Sequence, residues 1–416
     1  MRDVPAILGG TPICAAGAWP AWPQWDDTER AGLIAALDEG GWWTGDGSRA
    51  QAFADDFARF HDASLGLPFT NGTHTLEAAL AACGVGQGDE VIVPALTFVA
   101  TATAVMAVNG EPALVDIDRP SLCIDPDAVE AAITDRTRAV IAVHVAGAAC
   151  DLDRLVPMCR EHGLSLVEDC AHAHGSRWRG RGVGSFGAFG SFSMQRSKLM
   201  TAGEGGVLIG SDPELMDRAW SYWNCGRVKG GHGYGHPGYG SNLRMTEWQG
   251  AVLSAQLARF PDQHRRRQAA ALSLNAELAT IPGLTPQARD PRIDEQGNYC
   301  YVFHYDASRF SGLSLRGFEI ALAAEGVPLD GCYPALHTLE MFRTNNFAPR
   351  SRDLGRDYSG VSLPESEGAA RSTVWVEHRA LLAEPEAVLD IVRACARIQR
   401  HAAAVDALGI APEDPA

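Results

Sequence analysis

Hydrophobic positions through the first half of the chain fall into short, wholly apolar blocks, separated by stretches in which they recur at helical spacing. The pattern predicts a strand over 66–70, a helix over 73–83, a strand over 90–93 and a helix over 98–108. A strand over 112–116 follows, then a helix to 133 that Asp125 caps and Pro126 opens. Strands over 138–144 and 164–168 flank a helix over 151–162. Strands apolar on both faces, alternating with helices, read as an α/β fold: a mostly parallel central sheet flanked by helices.

Outside that region the pattern changes. Trp19, Trp22 and Trp25 precede a helix near 27–39, and Trp42-Trp43-Thr44-Gly45-Asp46-Gly47 reads as a turn. Past 175, short glycine-punctuated strands lead to a helix near 213–223. The stretch 226–240, rich in Gly, His and Tyr, reads as a mobile loop. A long helix over 246–278 is expected to break or bend near Pro261. A strand over 299–305 opens a smaller α+β unit. The expected division is a large domain over 1–280, with a helical, aromatic-rich segment over 1–60, a small C-terminal domain over 281–410, and a frayed tail over 411–416.

Composition narrows the function classes. With 46% hydrophobic and 21% charged residues, a long disordered chain is excluded. A net charge of −16 with no basic stripe makes a nucleic-acid partner unexpected. Residues 91–108 carry no charge and are long enough to span a membrane. Pro94 and the threonines at 97, 101 and 103 instead indicate a buried strand followed by a buried helix, so no membrane association is expected. The ten cysteines include no C-x-x-C pair, which points to reduced thiols in the cytoplasm. The start, Met1-Arg2-Asp3-Val4-Pro5, lacks the profile of a secretory signal.

Four local patterns carry candidate chemistry. Thr70-Asn71-Gly72-Thr73-His74-Thr75 joins a strand to a helix, and a helix N-terminus holds phosphate on free N–H groups. Taken alone it is a plain turn. Leu164-Ser165-Leu166-Val167-Glu168-Asp169 is an apolar strand ending in two carboxylates, at the sheet end where open parallel sheets bind ligands. Such a carboxylate holds a heteroaromatic nitrogen protonated. Cys170, His172 and His174 follow, but C-x-H-x-H lacks structural-zinc spacing, and no metal is expected. The run Ser193-Met194-Gln195-Arg196-Ser197-Lys198-Leu199-Met200-Thr201-Ala202-Gly203-Glu204-Gly205-Gly206 places a lone lysine between an apolar strand and a glycine turn. Desolvation there lowers the amine pKa and suits Schiff-base chemistry. Gly240-Ser241-Asn242-Leu243-Arg244 precedes the long helix. Gly182-Val183-Gly184-Ser185-Phe186-Gly187 matches G-x-G-x-x-G, but follows no apolar strand and opens no long helix, so it reads as a turn rather than a dinucleotide site.

Together these motifs resemble the DegT/DnrJ/EryC1/StrS aminotransferases, fold-type-I enzymes that use pyridoxal 5′-phosphate, from Trp22 to about Leu389. Ser193–Gly206 is the most specific element, followed by Glu168–Gly175 and Gly240–Arg244. Two branches look nearest: the 2-deoxy-scyllo-inosose and scyllo-inosose aminotransferases, through Tyr301–Asp306, Ala100–Val105 and Cys123–Pro126, and 3-amino-5-hydroxybenzoate synthase, through Pro20–Gln24, Thr70–His74 and Lys198–Gly206. The resemblance implies that Lys198 bonds the cofactor aldehyde and later carries the proton, and that Asp169 pairs with the ring nitrogen. It implies that Phe98 stacks on the ring and His172 bonds its phenolic oxygen, although many relatives have Gln there. Gly72, Thr73 and Ser193 would hold the phosphate, with Asn242 reaching it from the second subunit of a homodimer with shared sites. Trp43, Thr44, His337 and His378 are candidate acceptor contacts; a structural role fits His378 equally well.

The implied reaction moves an amino group from glutamine or glutamate to a ketone on a cyclitol or sugar, in aminocyclitol-type antibiotic biosynthesis. The alternatives are a dehydration and aromatisation like that of 3-amino-5-hydroxybenzoate synthase, and a non-enzymatic regulator that kept the fold. A sugar dehydratase of this fold is disfavoured, because those relatives carry His in place of the lysine, and Lys198 is present.

Overall fold

Short strands buried along their whole length can exist only where helices cover both sheet faces, and the computed structural model, which describes residues 3–231, 234–347 and 355–410, is built this way. The central sheet contains β1 (Leu65–Phe69), β2 (Glu90–Pro94), β3 (Glu111–Val115), β4 (Thr137–Val143), β5 (Ser165–Asp169), β8 (Phe189–Ser193) and β9 (Gly206–Gly210). Two short strands, β6 (Arg177–Trp178) and β7 (Arg181–Gly182), lie between β5 and β8 in the chain. The sheet order is β1-β9-β8-β5-β4-β2-β3, and only β9 runs against the rest. The expected mostly parallel α/β sheet is therefore present.

Most of the connecting helices start where an N-cap side chain satisfies free N–H groups. The connecting helices are α1 (Asp27–Glu39), α2 (Arg49–Phe60), α3 (Gly72–Ala82), α4 (Ala100–Ala107), α5 (Pro126–Ala132), α6 (Leu152–Glu161) and α7 (Pro213–Trp223). Asp26 and Glu29 form a capping box on α1, Asn71 caps α3, Asp125 caps α5 and Asp151 caps α6. The helix expected from 98 begins only at Ala100, because residues 95–97 bend and leave Phe98 in a loop, half exposed.

Helix α8 (Glu247–Leu278) departs from expectation: it runs unbroken through Pro261. Buried residues on both sides of the proline, Phe260, Gln263, His264 and Arg267, anchor the helix across the lost hydrogen bond, so packing outweighs local propensity. Its first half joins the core around the central sheet through Leu253 and Phe260, and its last turns join a second core through Ala271, Leu274 and Leu278. That second core lines an antiparallel sheet of order β10-β12-β14-β13, made from Leu284–Pro286 (β10), Cys300–Tyr305 (β12), Leu329–Asp330 (β13) and Thr373–Glu377 (β14). Strand β11 (Ile293–Glu295) pairs instead with β6. Helix α9 (Leu315–Ala324) and the helix Pro385–Arg400 cover the second sheet. The 226–240 stretch has no helix or strand among its described residues; residues 232 and 233, and the expected tail over 411–416, lie outside the described residues.

Candidate active site

The carboxyl ends of β1, β2, β4, β5 and β8 point the same way, and the segments leaving them surround a cavity of about 750 Å³. Its wall brings together Gly72, Thr73, Phe98, Asp169, His172, Ser193 and Lys198, all anticipated as site residues. The second unit closes the other side with Tyr299, Asp330, Gly331, Tyr333 and Trp375.

Lys198 stands on a tightly held turn. Its N–H donates to the Gln195 carbonyl at 2.8 Å, and the Gln195 Oε1 accepts from the Ser197 N–H at 2.7 Å and the Ser197 hydroxyl at 2.8 Å. The side chain is buried, with Nζ over the Tyr299 ring at 4.3 Å. Burial pulls the amine down to about 8, while Asp169 pulls the other way. Asp169, at the end of β5, accepts from the Thr101 hydroxyl at 3.0 Å and the Ala171 N–H at 3.1 Å. Burial raises its pKa, and those two donors together with Lys198 oppose the rise.

His172 is neutral, its pKa driven down by burial and by Lys198. The Ala146 N–H donates to Nδ1 at 3.3 Å, so the proton sits on Nε2, which donates to the Tyr333 hydroxyl at 3.1 Å. The ring stacks on Tyr299 at 4.1 Å. At the other end of the cavity, Asn71 accepts from the His74 N–H at 2.9 Å, and the first-turn N–H groups of α3 have no carbonyl one turn earlier. Glycine is required at 72: a Cβ there would lie 2.7 Å from the Ser193 Cβ.

The remaining anticipated residues lie off this wall. Asn242 is exposed and bridges to Asn224. Trp43 is half exposed under the Arg244 guanidinium, 5.5 Å from the ring centre, and the Thr44 hydroxyl donates to the Met245 carbonyl. His337 is buried against Glu367 at 3.0 Å, and His378 is buried with Nε2 3.0 Å from the Ser197 carbonyl.

The sequence did not single out Thr101 as the partner of Asp169, nor Tyr299, Asp330 and Trp375 as wall residues. A Thr97–Thr101 pair at helical spacing, joined at 2.8 Å, was the one local signal for the first. The G-x-G-x-x-G run also acquires a role: the Gly184, Phe186 and Gly187 N–H groups each donate to the buried Glu168 at 2.8 Å, with His144 Nε2 at 3.1 Å. This pins the strand end that carries Asp169. His144, Glu168 and Cys170 bring possible metal-ligating atoms within 4.8 Å of one another, but those four hydrogen bonds already occupy the carboxylate.

These groups fit pyridoxal 5′-phosphate: a buried, partly neutral amine, a buried carboxylate, a neutral imidazole donor, and a helix end so closely packed that a Cβ at 72 has no room.

Comparison with known proteins agrees. The sequence profile of the DegT/DnrJ/EryC1/StrS aminotransferase family matches residues 24–394. The chain is 38% identical over 377 residues to 3-amino-5-hydroxybenzoate synthase of Amycolatopsis mediterranei, covering 89% of this chain and 95% of that protein. It is 38% identical over 412 residues to L-glutamine:2-deoxy-scyllo-inosose aminotransferase of Micromonospora echinospora, covering 94% and 97%. The crystal structure of a 3-amino-5-hydroxybenzoic acid synthase superposes with a TM-score of 0.83 at 35% identity, covering 94% of this chain and 99% of that one.

Proposed function

The chain belongs to the DegT/DnrJ/EryC1/StrS aminotransferase family, and from that premise we propose that it moves an amino group from glutamine or glutamate to the keto group of a cyclitol or sugar, in the cytoplasm, as a step of aminocyclitol-type antibiotic biosynthesis. The observation that carries this reading is the buried amine of Lys198 sharing one cavity wall with the buried carboxylate of Asp169.

When bound, pyridoxal 5′-phosphate supplies an aldehyde that takes up the amino group and a ring that accepts electrons from the carbon being deprotonated. Lys198, with its amine near 8, is nucleophilic close to neutral pH and can carry a proton to and from the reacting carbon. Asp169 would hold a proton on the ring nitrogen, with Thr101 and the Ala171 N–H favouring its ionised form against the effect of burial. His172 offers its Nε2 proton to the phenolic oxygen, and Phe98 offers a ring face. The first-turn N–H groups of Gly72 and Thr73, with the Ser193 hydroxyl, hold the phosphate.

Among the described residues, Lys198 is the one Lys or Arg on the cavity wall, whereas Glu204 and Asp330 add two carboxylates near the opening. Those carboxylates accept hydrogen bonds from hydroxyls and repel an acceptor that itself bears a carboxylate. Their hydrogen-bond capacity suits a polyhydroxylated ring, while any bound carboxylate, the donor's included, needs a countercharge at the site. The donor's own carboxylate then needs a cation from a second copy of the chain. A homodimer with shared sites fits the exposed apolar side chains Trp25, Ile34, Leu37, Trp42 and Trp43, and the outward-facing Asn242.

Purified enzyme incubated with glutamine and scyllo-inosose should form the amine. An aromatic product from an aminodeoxyshikimate-type precursor, with no amine from any ketocyclitol or keto-sugar, would reverse the order of the two chemistries. Mixing inactive Lys198→Ala and Asn242→Ala proteins tests the shared site: hybrid dimers recover activity only if Asn242 serves the opposite subunit.

A further inference from the structure

Two consecutive backbone carbonyls lead into Lys198, and each is held by a donor from a distant part of the chain. The Trp22 indole N–H donates to the Arg196 carbonyl at 3.0 Å, and His378 Nε2 lies 3.0 Å from the Ser197 carbonyl. Behind His378 stands Arg267 of α8, with Nη2 3.2 Å from the His378 Nδ1. Arg267 is fully buried, and its Nε and Nη1 have no partner among the described residues. Its guanidinium lies over the Trp22 ring at 5.3 Å, and Trp22 meets His378 edge to face at 4.5 Å.

We propose that Arg267 and His378 are a positioning pair that aims the Lys198 amine, a role that rests on the function assigned to Lys198 above. A guanidinium only donates, so its contact makes the His378 Nδ1 an acceptor and leaves the ring proton on Nε2. That is the tautomer the Ser197 carbonyl requires. Burial and the neighbouring Arg267 also hold His378 neutral. The pair thus fixes the peptide immediately before Lys198, leaving the lysine's own rotamers as the freedom between sheet and amine. Burying a guanidinium with no facing carboxylate is expensive, and an apolar side chain would fill the space at less cost to stability. The arrangement therefore serves orientation better than it serves stability. It also ties the catalytic turn to the segment after β14 and to α8, both remote in sequence.

The test compares His378→Leu, which removes donor and acceptor, with His378→Gln, whose amide offers both. Three quantities are read on the full-chain enzyme: kcat, the rate at which cofactor-stripped protein links pyridoxal 5′-phosphate to Lys198, and the affinity for pyridoxamine 5′-phosphate. The last ligand uses the same pocket but forms no bond to the lysine. His378→Leu should slow kcat and attachment by about ten- to a hundredfold, and His378→Gln should stay within about threefold of the parent. Substrate KM and pyridoxamine phosphate affinity should not move. Equal defects in both variants, or pyridoxamine phosphate affinity falling in step with attachment, overturn the proposal. Should His378→Leu fail to fold, Arg267→Lys, which keeps a donor to Nδ1, and Arg267→Met, which does not, give the same contrast. A parent enzyme that attaches no cofactor at Lys198 sinks the assigned function itself; a normal parent with indistinguishable variants sinks only the positioning pair.

Discussion

Replacing Lys198 with Met should make the cofactor-free protein more stable at neutral pH. The side chain is 9% exposed, and burial lowers its pKa from an ordinary 10.5 to about 8. At about 1.4 kcal/mol per pH unit, that difference corresponds to about 3 kcal/mol. The sign follows from linkage. The folded state binds the proton more weakly than the unfolded chain, so between pH 8 and 10.5 the unfolded chain holds more protons and parent stability rises with pH. Below pH 8 the whole cost is present. Methionine fills similar volume without a proton, so the variant should exceed the parent by up to about 3 kcal/mol at pH 7, and the gap should close by pH 10.5. Loss of the ammonium also raises the Asp169 pKa further, which trims the gain. Urea denaturation of both cofactor-free proteins, at one protomer concentration and several pH values, measures the gap. A variant no more stable than the parent at pH 7, or a gap that stays constant to pH 10.5, refutes the reasoning.

Asp169→Asn keeps the shape but removes the charge, and should lower kcat by about a hundredfold or more while cofactor still binds; steady-state kinetics with a cofactor titration decides. Gly72→Ala forces a Cβ to within 2.7 Å of the Ser193 Cβ. Fluorescence titration should show cofactor affinity reduced more than about tenfold, with overpacking costing about 1–3 kcal/mol in denaturation. Glu168→Gln turns an amide N–H₂ toward donors that now share one carboxylate, so the denaturation midpoint should fall by the equivalent of about 3 kcal/mol or more, and an unchanged midpoint would remove Glu168 as the latch for the glycine turn.

Much of the sheet and one half of the site were legible in the amino-acid order. Apolar blocks alternating with capped helices specify buried parallel strands, because period and caps act over a few residues. A parallel sheet then carries Asp169, Ser193 and the Asn71–Thr73 turn to one edge, since the first two end a strand and the turn comes just after one. Short-range pattern did not tell whether α8 would survive Pro261; buried contacts on either side of the proline settled that. Local pattern was enough to reject a nucleotide site at the glycine-rich turn but not to reveal that it grips a carboxylate, because Glu168 reaches the turn only once β5 and β8 are paired. The far wall, Tyr299, Asp330, Tyr333 and Trp375, and the Arg267–His378 support behind Lys198 come from segments about seventy residues or more away in the chain. The amino-acid order alone determined which chemistry each strand end could offer, through periodicity, caps and glycine placement. Which distant side chains would close around that chemistry was decided by burial of second-unit residues such as Tyr299 and Trp375 in the core around the central sheet, a long-range term that no local window contains.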